Sequence, residues 1–265
     1  MKLLPVIFLM IFSVMISKTS ISQGWEIELM AGASGYSGDL SQKSIPLKTL
    51  GPAVGINIKH PVINNFLVVR GGFTYGKVSA NDQDNSDPVI KNRNLNFKTD
   101  ILEFHMGLEL NLLDSREFTG YPYVFGGVGI FHFNPYTFDS DNNKTFLWSL
   151  GTEGQGLVQY PDKTQYSLTQ ICIPFGGGWK HSVNEKLDIV YELGGRLLFT
   201  DHLDDVSTTY ADPQVLALAR GPRALELANR QLQSPTTVLG RQRGNPEKND
   251  WYFISGFKLL YRIGG

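Results

Sequence analysis

The stretch LNFKTDILEFHMGLELNLL, residues 95–113, decides the fold. Leu102, Phe104, Met106, Leu108, Leu110 and Leu112 share one parity, while Glu103, His105, Gly107, Glu109 and Asn111 share the other. A helix would gather every third or fourth residue on one face, whereas a strand sends alternate residues to opposite faces. The period is two, so this is a strand with one oily face and one charged face.

The same division recurs outward from that stretch. Between Leu187 and Thr200, Leu187, Ile189, Tyr191, Leu193, Leu197 and Phe199 oppose Asp188, Glu192, Gly194 and Arg196. Between Trp251 and Ile263, Trp251, Phe253, Phe257, Leu259 and Tyr261 oppose Gly256, Lys258 and Arg262. Weaker runs pair Trp25, Ile27, Leu29 and Ala31 with Glu26 and Glu28, and Val54, Ile56 and Ile58 with Asn57 and Lys59. Leu67, Val69, Phe73 and Tyr75 oppose Arg70 and Thr74, and Ile171, Ile173, Phe175 and Trp179 oppose Gln170, Cys172 and Lys180. Tyr123, Phe125, Phe131 and Phe133 form one face of the fifth run. Each run supplies the ~9–11 residues that a tilted strand needs to cross a bilayer.

The connections choose among all-β architectures. Residues 38–50, 80–94, 135–166 and 201–249 are long and polar, and they alternate with short links at Pro61–Asn65, Asp114–Tyr121 and Ser182–Lys186. Long loops at one end and short turns at the other are the plan of an outer-membrane barrel. The sequence therefore predicts an all-β fold: an eight-stranded antiparallel transmembrane barrel with both termini on the periplasmic, short-turn side. A soluble lipocalin-like barrel would need the opposite placement of charge.

The N-terminus fits export. Lys2 precedes a stretch from Leu3 to Ile16 that is apolar apart from Pro5 and Ser13, and Ser20-Ile21-Ser22 places small residues before Gln23. That layout predicts a secretory signal peptide over residues 1–22, with a retained anchor as the alternative. The barrel domain is then 23–265. Loss of Lys2 and Lys18 moves the formal charge from −1 to −3, without the basic surplus of a nucleic-acid binder. Cys172 is the only cysteine, so neither an intramolecular disulfide nor a cysteine-based metal site can form.

With the oily face against lipid, Trp25, Trp179, Tyr191, Trp251 and Tyr261 are candidates for the interfacial aromatic belts. The charged face lines the lumen, with Glu26, Glu28, Glu103, Glu109 and Glu192 set against Lys59, Arg70, Arg196, Lys258 and Arg262. An eight-stranded barrel is just wide enough for its side chains to fill. Buried charges must pair, so the expectation is a salt-bridged plug rather than a wide channel.

Glu103, His105 and Glu109 share a face and could form a general base or metal site, but they read better as a packed polar network; no catalytic, cofactor or metal residues are assigned. Asp201, His202, Asp204 and Asp205 lack calcium-loop spacing and read as a solvated loop start. Gly176-Gly177-Gly178 lies within a strand, where glycine permits sharp curvature. In the last loop Asp212-Pro213 has the form of a helix cap followed by proline at the first helical position. One or two short helices are expected over Gln214–Ala219 and Arg223–Gln231, broken at Gly221-Pro222. They could cover the barrel mouth or meet a partner.

Three segments resemble a known family. Thr200-Asp201-His202-Leu203-Asp204-Asp205-Val206-Ser207 with Tyr210, Arg243-Gly244-Asn245 leading to Asp250-Trp251-Tyr252, and Tyr36-Ser37-Gly38-Asp39-Leu40 are similar to signatures of small Bacteroidetes barrels of the PorG-like type. Members of that family belong to the type IX protein secretion machinery. The resemblance implies a non-enzymatic outer-membrane component, embedded in lipid and associated with periplasmic or lipoprotein partners of the secretion ring. It singles out Asp204, Asp205, Arg243, Asn245 and Trp251, which are expected to pair with one another and fix the last loop. Two other functions remain open: a passive barrel that stabilises the envelope or binds ligands through its loops, and a membrane enzyme using Glu103, His105 or the Asp201–Asp205 cluster.

Overall fold

The computed structural model describes residues 24–41, 47–63, 65–233 and 238–263; the expected signal segment lies outside the described residues. Eight long strands carry the fold: β1 (Trp25–Ser37), β2 (Gly51–Ile63), β3 (Leu67–Asn81), β4 (Asn96–Asn111), β5 (Gly120–His132), β8 (Thr169–Ser182), β9 (Leu187–Leu198) and β10 (Trp251–Ile263). Two three-residue strands, β6 (Tyr136–Phe138) and β7 (Lys144–Phe146), form a hairpin between β5 and β8. Each long strand pairs antiparallel with its neighbour in the chain order of the eight. β10 returns to β1 in a register running from Trp25↔Ile263 to Ser37↔Trp251, which closes the barrel. Closure leaves no sheet edge, as a hydrocarbon environment requires. No helix among the described residues is long and apolar enough to cross a membrane.

Trp25 and Ile263 share one end of the barrel with the short turns after β2, β4 and β8, while all four long connections leave the other end. The strands sort their side chains by parity. Leu102 is 56 % exposed and the adjacent Glu103 is 0 % exposed; Phe104, Leu108 and Leu110 continue the exposed row on β4. A polar inside and an apolar outside exclude the lipocalin arrangement. Trp25, Trp179, Tyr191 and Tyr261 are exposed on the outer face, and Trp251 is half-buried at the long-loop end of β10.

The fifth run needs a correction. Tyr123, Phe131 and Phe133 are buried in the interior, and the outward side chains of β5 are Val124, Val128 and Ile130. The reason lies on the neighbouring strands. A Cβ on Gly178 would meet the Tyr123 ring at 2.7 Å, and one on Gly194 would meet Phe125 at 2.7 Å. Glycine leaves the lumen room for the rings there, beyond the curvature expected of the Gly176–Gly178 run.

The last loop is partly helical, as expected. α2 (Pro213–Arg220) and α3 (Pro222–Ala228) flank Gly221, whose φ of 87° only glycine adopts readily. Asp212 accepts from the backbone N–H groups of Gln214 and Val215, so it caps α2. A further helix, α1 (Pro88–Arg93), begins in the same way with Asp87 accepting from Val89. The Asp87-Pro88 pair repeats the Asp212-Pro213 signal and could have revealed it. The β6–β7 hairpin has no comparable signature.

Candidate functional site

Two layers fill the barrel. In the middle of the lumen, β1 presents Glu28, which Lys59 reaches at 2.5 Å and Lys258 at 2.8 Å. Lys59 continues to Glu109 at 2.9 Å, and Arg70 joins Glu109 at 3.5 Å to Glu192 at 2.7 Å. Lys258 meets Glu192 at 2.7 Å and completes a ring of six alternating charges contributed by six strands. Lys180 also pairs with Glu109, and the Tyr123 hydroxyl donates to Glu192 at 2.7 Å. Above this ring Glu103 accepts from Arg196 at 3.0 Å and from the Tyr252 hydroxyl at 2.5 Å. His105 lies between Glu103, 2.9 Å from its Nδ1, and Asn57 Oδ1, 2.8 Å from its Nε2. Below the ring Arg262 pairs with Asp188 and stands 3.5 Å from Glu26.

Of the ten charged residues expected in the lumen, nine are buried and Arg262 is half-buried. Asp188 and Lys180 join them, so six acids face six bases. Both were on the polar parity, but nothing in one strand's alternation says which charges meet across the lumen. Buried ions are costly unless each is paired and hydrogen-bonded; here every carboxylate of the central ring touches at least two cations. The void beside Arg70, His105, Phe125 and Arg196 measures only about 10 Å³, about the room one water needs.

The second layer closes the mouth. Leu203 and Val206, from the loop after β9, are buried in one cluster with Tyr36, Phe97, Phe131, Phe133 and Tyr252 from the barrel. Beside them Asp204 and Asp205 are buried, against the expectation of a solvated loop start. The Tyr36 hydroxyl lies 2.5 Å from Asp204 and 3.1 Å from Asp250, and Asp250 accepts from the Leu203 N–H at 2.9 Å. Asp205 accepts from the Tyr166 hydroxyl at 2.8 Å and from Thr152 at 2.5 Å. Arg243 donates to the Asp205 carbonyl at 2.6 Å and to Glu153 at 3.0 Å. Glu153 in turn accepts from the Ser207 and Thr208 N–H groups, both at 2.9 Å. The Asn245 N–H donates to Asp39 at 2.7 Å, and Trp251 begins β10 opposite Ser37.

The five residues singled out by resemblance therefore meet mainly through partners from other loops. Arg243 and the Asp205 carbonyl are the direct link among them. Glu153, at the centre of the arrangement, and Arg93, which reaches Asp82 at 2.7 Å, the Asp39 carbonyl at 3.0 Å and the Arg243 carbonyl at 2.6 Å, went unremarked in the sequence. Burial, then the charge of Asp39, pushes Asp204 well above the ordinary carboxylate range, and burial beside Asp204 does the same to Asp250. Glu153 is also buried, but Arg243 and the surrounding N–H groups hold it below its usual value.

A family model described as a domain of unknown function, DUF6089, matches residues 3–219. The chain belongs to the DUF6089 family. No curated protein matches the sequence. Among solved structures, this DUF6089 member is similar to Neisserial surface protein A at 9 % identity, with 92 % of this chain and 100 % of that one covered and a TM-score of 0.48. It is similar to Ail, the attachment invasion locus protein of Yersinia pestis, at 8 % identity, with 92 % and 100 % covered and a TM-score of 0.44. OprG from Pseudomonas aeruginosa is 7 % identical, with 91 % and 98 % covered and a TM-score of 0.39. With an apolar exterior, a closed antiparallel sheet and a filled lumen, this DUF6089 chain is built as a small outer-membrane β-barrel. The family match contains Asp204 and Asp205 and ends before Arg243, Asn245 and Trp251.

Proposed function

We propose that this DUF6089 barrel is a non-enzymatic anchoring component of a protein secretion machine in the bacterial outer membrane, with both termini and the short turns in the periplasm. The observation that carries the non-transport, non-catalytic part is the filled lumen. A ring of alternating charge spans the middle of the lumen, and the void beside Arg70, His105, Phe125 and Arg196 measures only about 10 Å³, which supports a barrel that works without transport through its interior. Glu103 and His105, the residues best suited to acid–base work, are occupied by Arg196, Tyr252 and Asn57. What remains for function is the surface of the two ends. The short turns display Phe66, Phe118 and Val183, which are exposed apolar side chains suited to contact with another protein. The assignment to type IX secretion rests on the resemblance of the Thr200–Ser207, Arg243–Asn245 and Tyr36–Leu40 segments to PorG-like barrels.

The test is a mild-detergent pull-down of the tagged protein from its native envelope, followed by mass spectrometry. Secretion-ring or lipoprotein partners should co-purify and should be lost on alteration of the Asp114–Tyr121 turn. A folded barrel recovered alone would replace the anchoring role with that of a passive envelope barrel.

A further inference from the structure

Outside the closed mouth lies a cleft of about 1090 Å³, bounded by the chain after β1, by α1 and by the loop before β10. It is separate from the lumen and from the periplasmic turns. Small-molecule pockets span roughly 300–1,000 Å³ and are mostly apolar. This cleft lies just above that range, and its wall mixes side-chain amides, among them Gln231, Gln242 and Asn249, with the apolar Val89, Ile90 and Trp251. Each amide offers two donors and an acceptor, which matches hydroxyl groups that also donate and accept. Arg241 and Lys248 stand exposed on the same wall, and Asp39 is the single acid of the lining. The lining also includes Tyr210, whose buried hydroxyl has no hydrogen-bond partner among the described residues. A buried polar group without a partner is costly, so this hydroxyl stands to gain from a polar ligand that reaches it. Trp251, at the long-loop end of β10, edges the cleft, which on the proposed orientation faces away from the periplasm.

We infer that this cleft binds an acidic glycan, with the amides on its hydroxyls and Arg241 and Lys248 on its carboxylates or other anionic groups. An acidic peptide is the competing occupant, since cationic clusters also read acidic motifs, and equal affinity for tetraglutamate would reveal it. The same glycan chemistry could arrive as a free oligosaccharide or on a membrane lipid.

The experiment uses the full chain in nanodiscs and calorimetric titration with tetragalacturonate, maltotetraose and tetraglutamate. Tetragalacturonate should bind, with maltotetraose at least tenfold weaker. The exposed double substitution Arg241→Gln/Lys248→Gln should reduce tetragalacturonate affinity tenfold or more while the barrel keeps its heat-modifiable mobility. Tyr210→Phe, which removes only the unpartnered hydroxyl, should weaken binding by about three- to tenfold, the share of one hydrogen bond. Absence of tetragalacturonate binding, affinity unchanged in the double variant, or equal affinity for tetraglutamate would overturn the inference. A second arm places acidic lipopolysaccharide in the nanodisc. Competition by it against tetragalacturonate assigns a lipid-borne source, and tetragalacturonate binding without such competition assigns a free one.

Discussion

At the scale of single residues, the mouth of the barrel depends on where protons and charges sit. One hydroxyl proton on Tyr36 is shared between Asp204 and Asp250, and a second proton on one carboxyl would relieve the repulsion within this close group of three. Both carboxyls are raised above their ordinary range by burial and by nearby acids. A raised carboxyl contributes stability that is fully present below its unfolded value and is lost as pH rises through its folded value. The loop after β9 should therefore become more open to trypsin as pH increases from 5 to 9. Asp204→Asn, a neutral mimic of the protonated acid, should flatten that dependence; an identical pH profile in the variant would refute the shared proton. The surrounding groups are Asp39, Arg93, Asp201, Glu153 and Arg243, of which Glu153 titrates in the opposite sense, so the comparison with Asp204→Asn is the informative one. Arg243→Ala strips Glu153 of its cation and the Asp205 carbonyl of its donor. Breaking such a buried pair costs about 3–5 kcal/mol. The loop should then be cleaved by protease while the barrel remains heat-modifiable, and unchanged resistance would remove Arg243 from the closing arrangement. The acids Asp204 and Asp205 stood out in the sequence as a cluster, yet nothing local distinguished buried acids from solvated ones. Asp204 meets Tyr36, and Asp205 meets Thr152 and Tyr166, all brought close only by the fold.

At the scale of elements, alternation revealed the strands because each one meets two different environments along its whole length. It failed on β5, where aromatic rings face inward and small aliphatic residues face out. Parity was legible there, but the direction was not, since hydrophobicity does not separate an interior ring from a lipid-facing one. The space for those rings comes from glycines on β8 and β9, and this has a testable consequence. Gly194→Ala would place a Cβ 2.7 Å from the Phe125 ring and 3.0 Å from Arg196. Overpacking of this kind typically costs about 1–3 kcal/mol, so the urea midpoint for barrel unfolding should fall. Phe125→Leu added to Gly194→Ala should recover part of the loss, because residues in contact do not act additively. Lack of any recovery would mean that the ring is not what the glycine accommodates. Among the helices, α1 shows that a cap read once in the last loop applies equally after β3: Asp87 before Pro88 satisfies an N–H that the first turn leaves free.

At the scale of the whole molecule, the lumen charges and the closed mouth act in series. In planar lipid bilayers the purified barrel should therefore show no steady conductance of porin size, and a stable open channel would contradict the plugged lumen. Glu28→Gln should lower unfolding stability because Lys59 and Lys258 lose a shared counter-ion, a change expected to cost about 3–5 kcal/mol where charge is left unpaired. The amino-acid sequence by itself determined the number of spanning strands, the side of the sheet that carries charge, the alternation of short and long connections and the helix starts at capped prolines. These are local properties, set by side-chain periodicity and by the hydrogen bonds of a single turn. Only the tertiary structure decided which acid meets which base, which way the β5 rings point, and that Leu203 and Val206 close the mouth. Those outcomes depend on the register of strands joined around a closed barrel, where residues more than a hundred positions apart in the chain become neighbours across the lumen or across the closing seam.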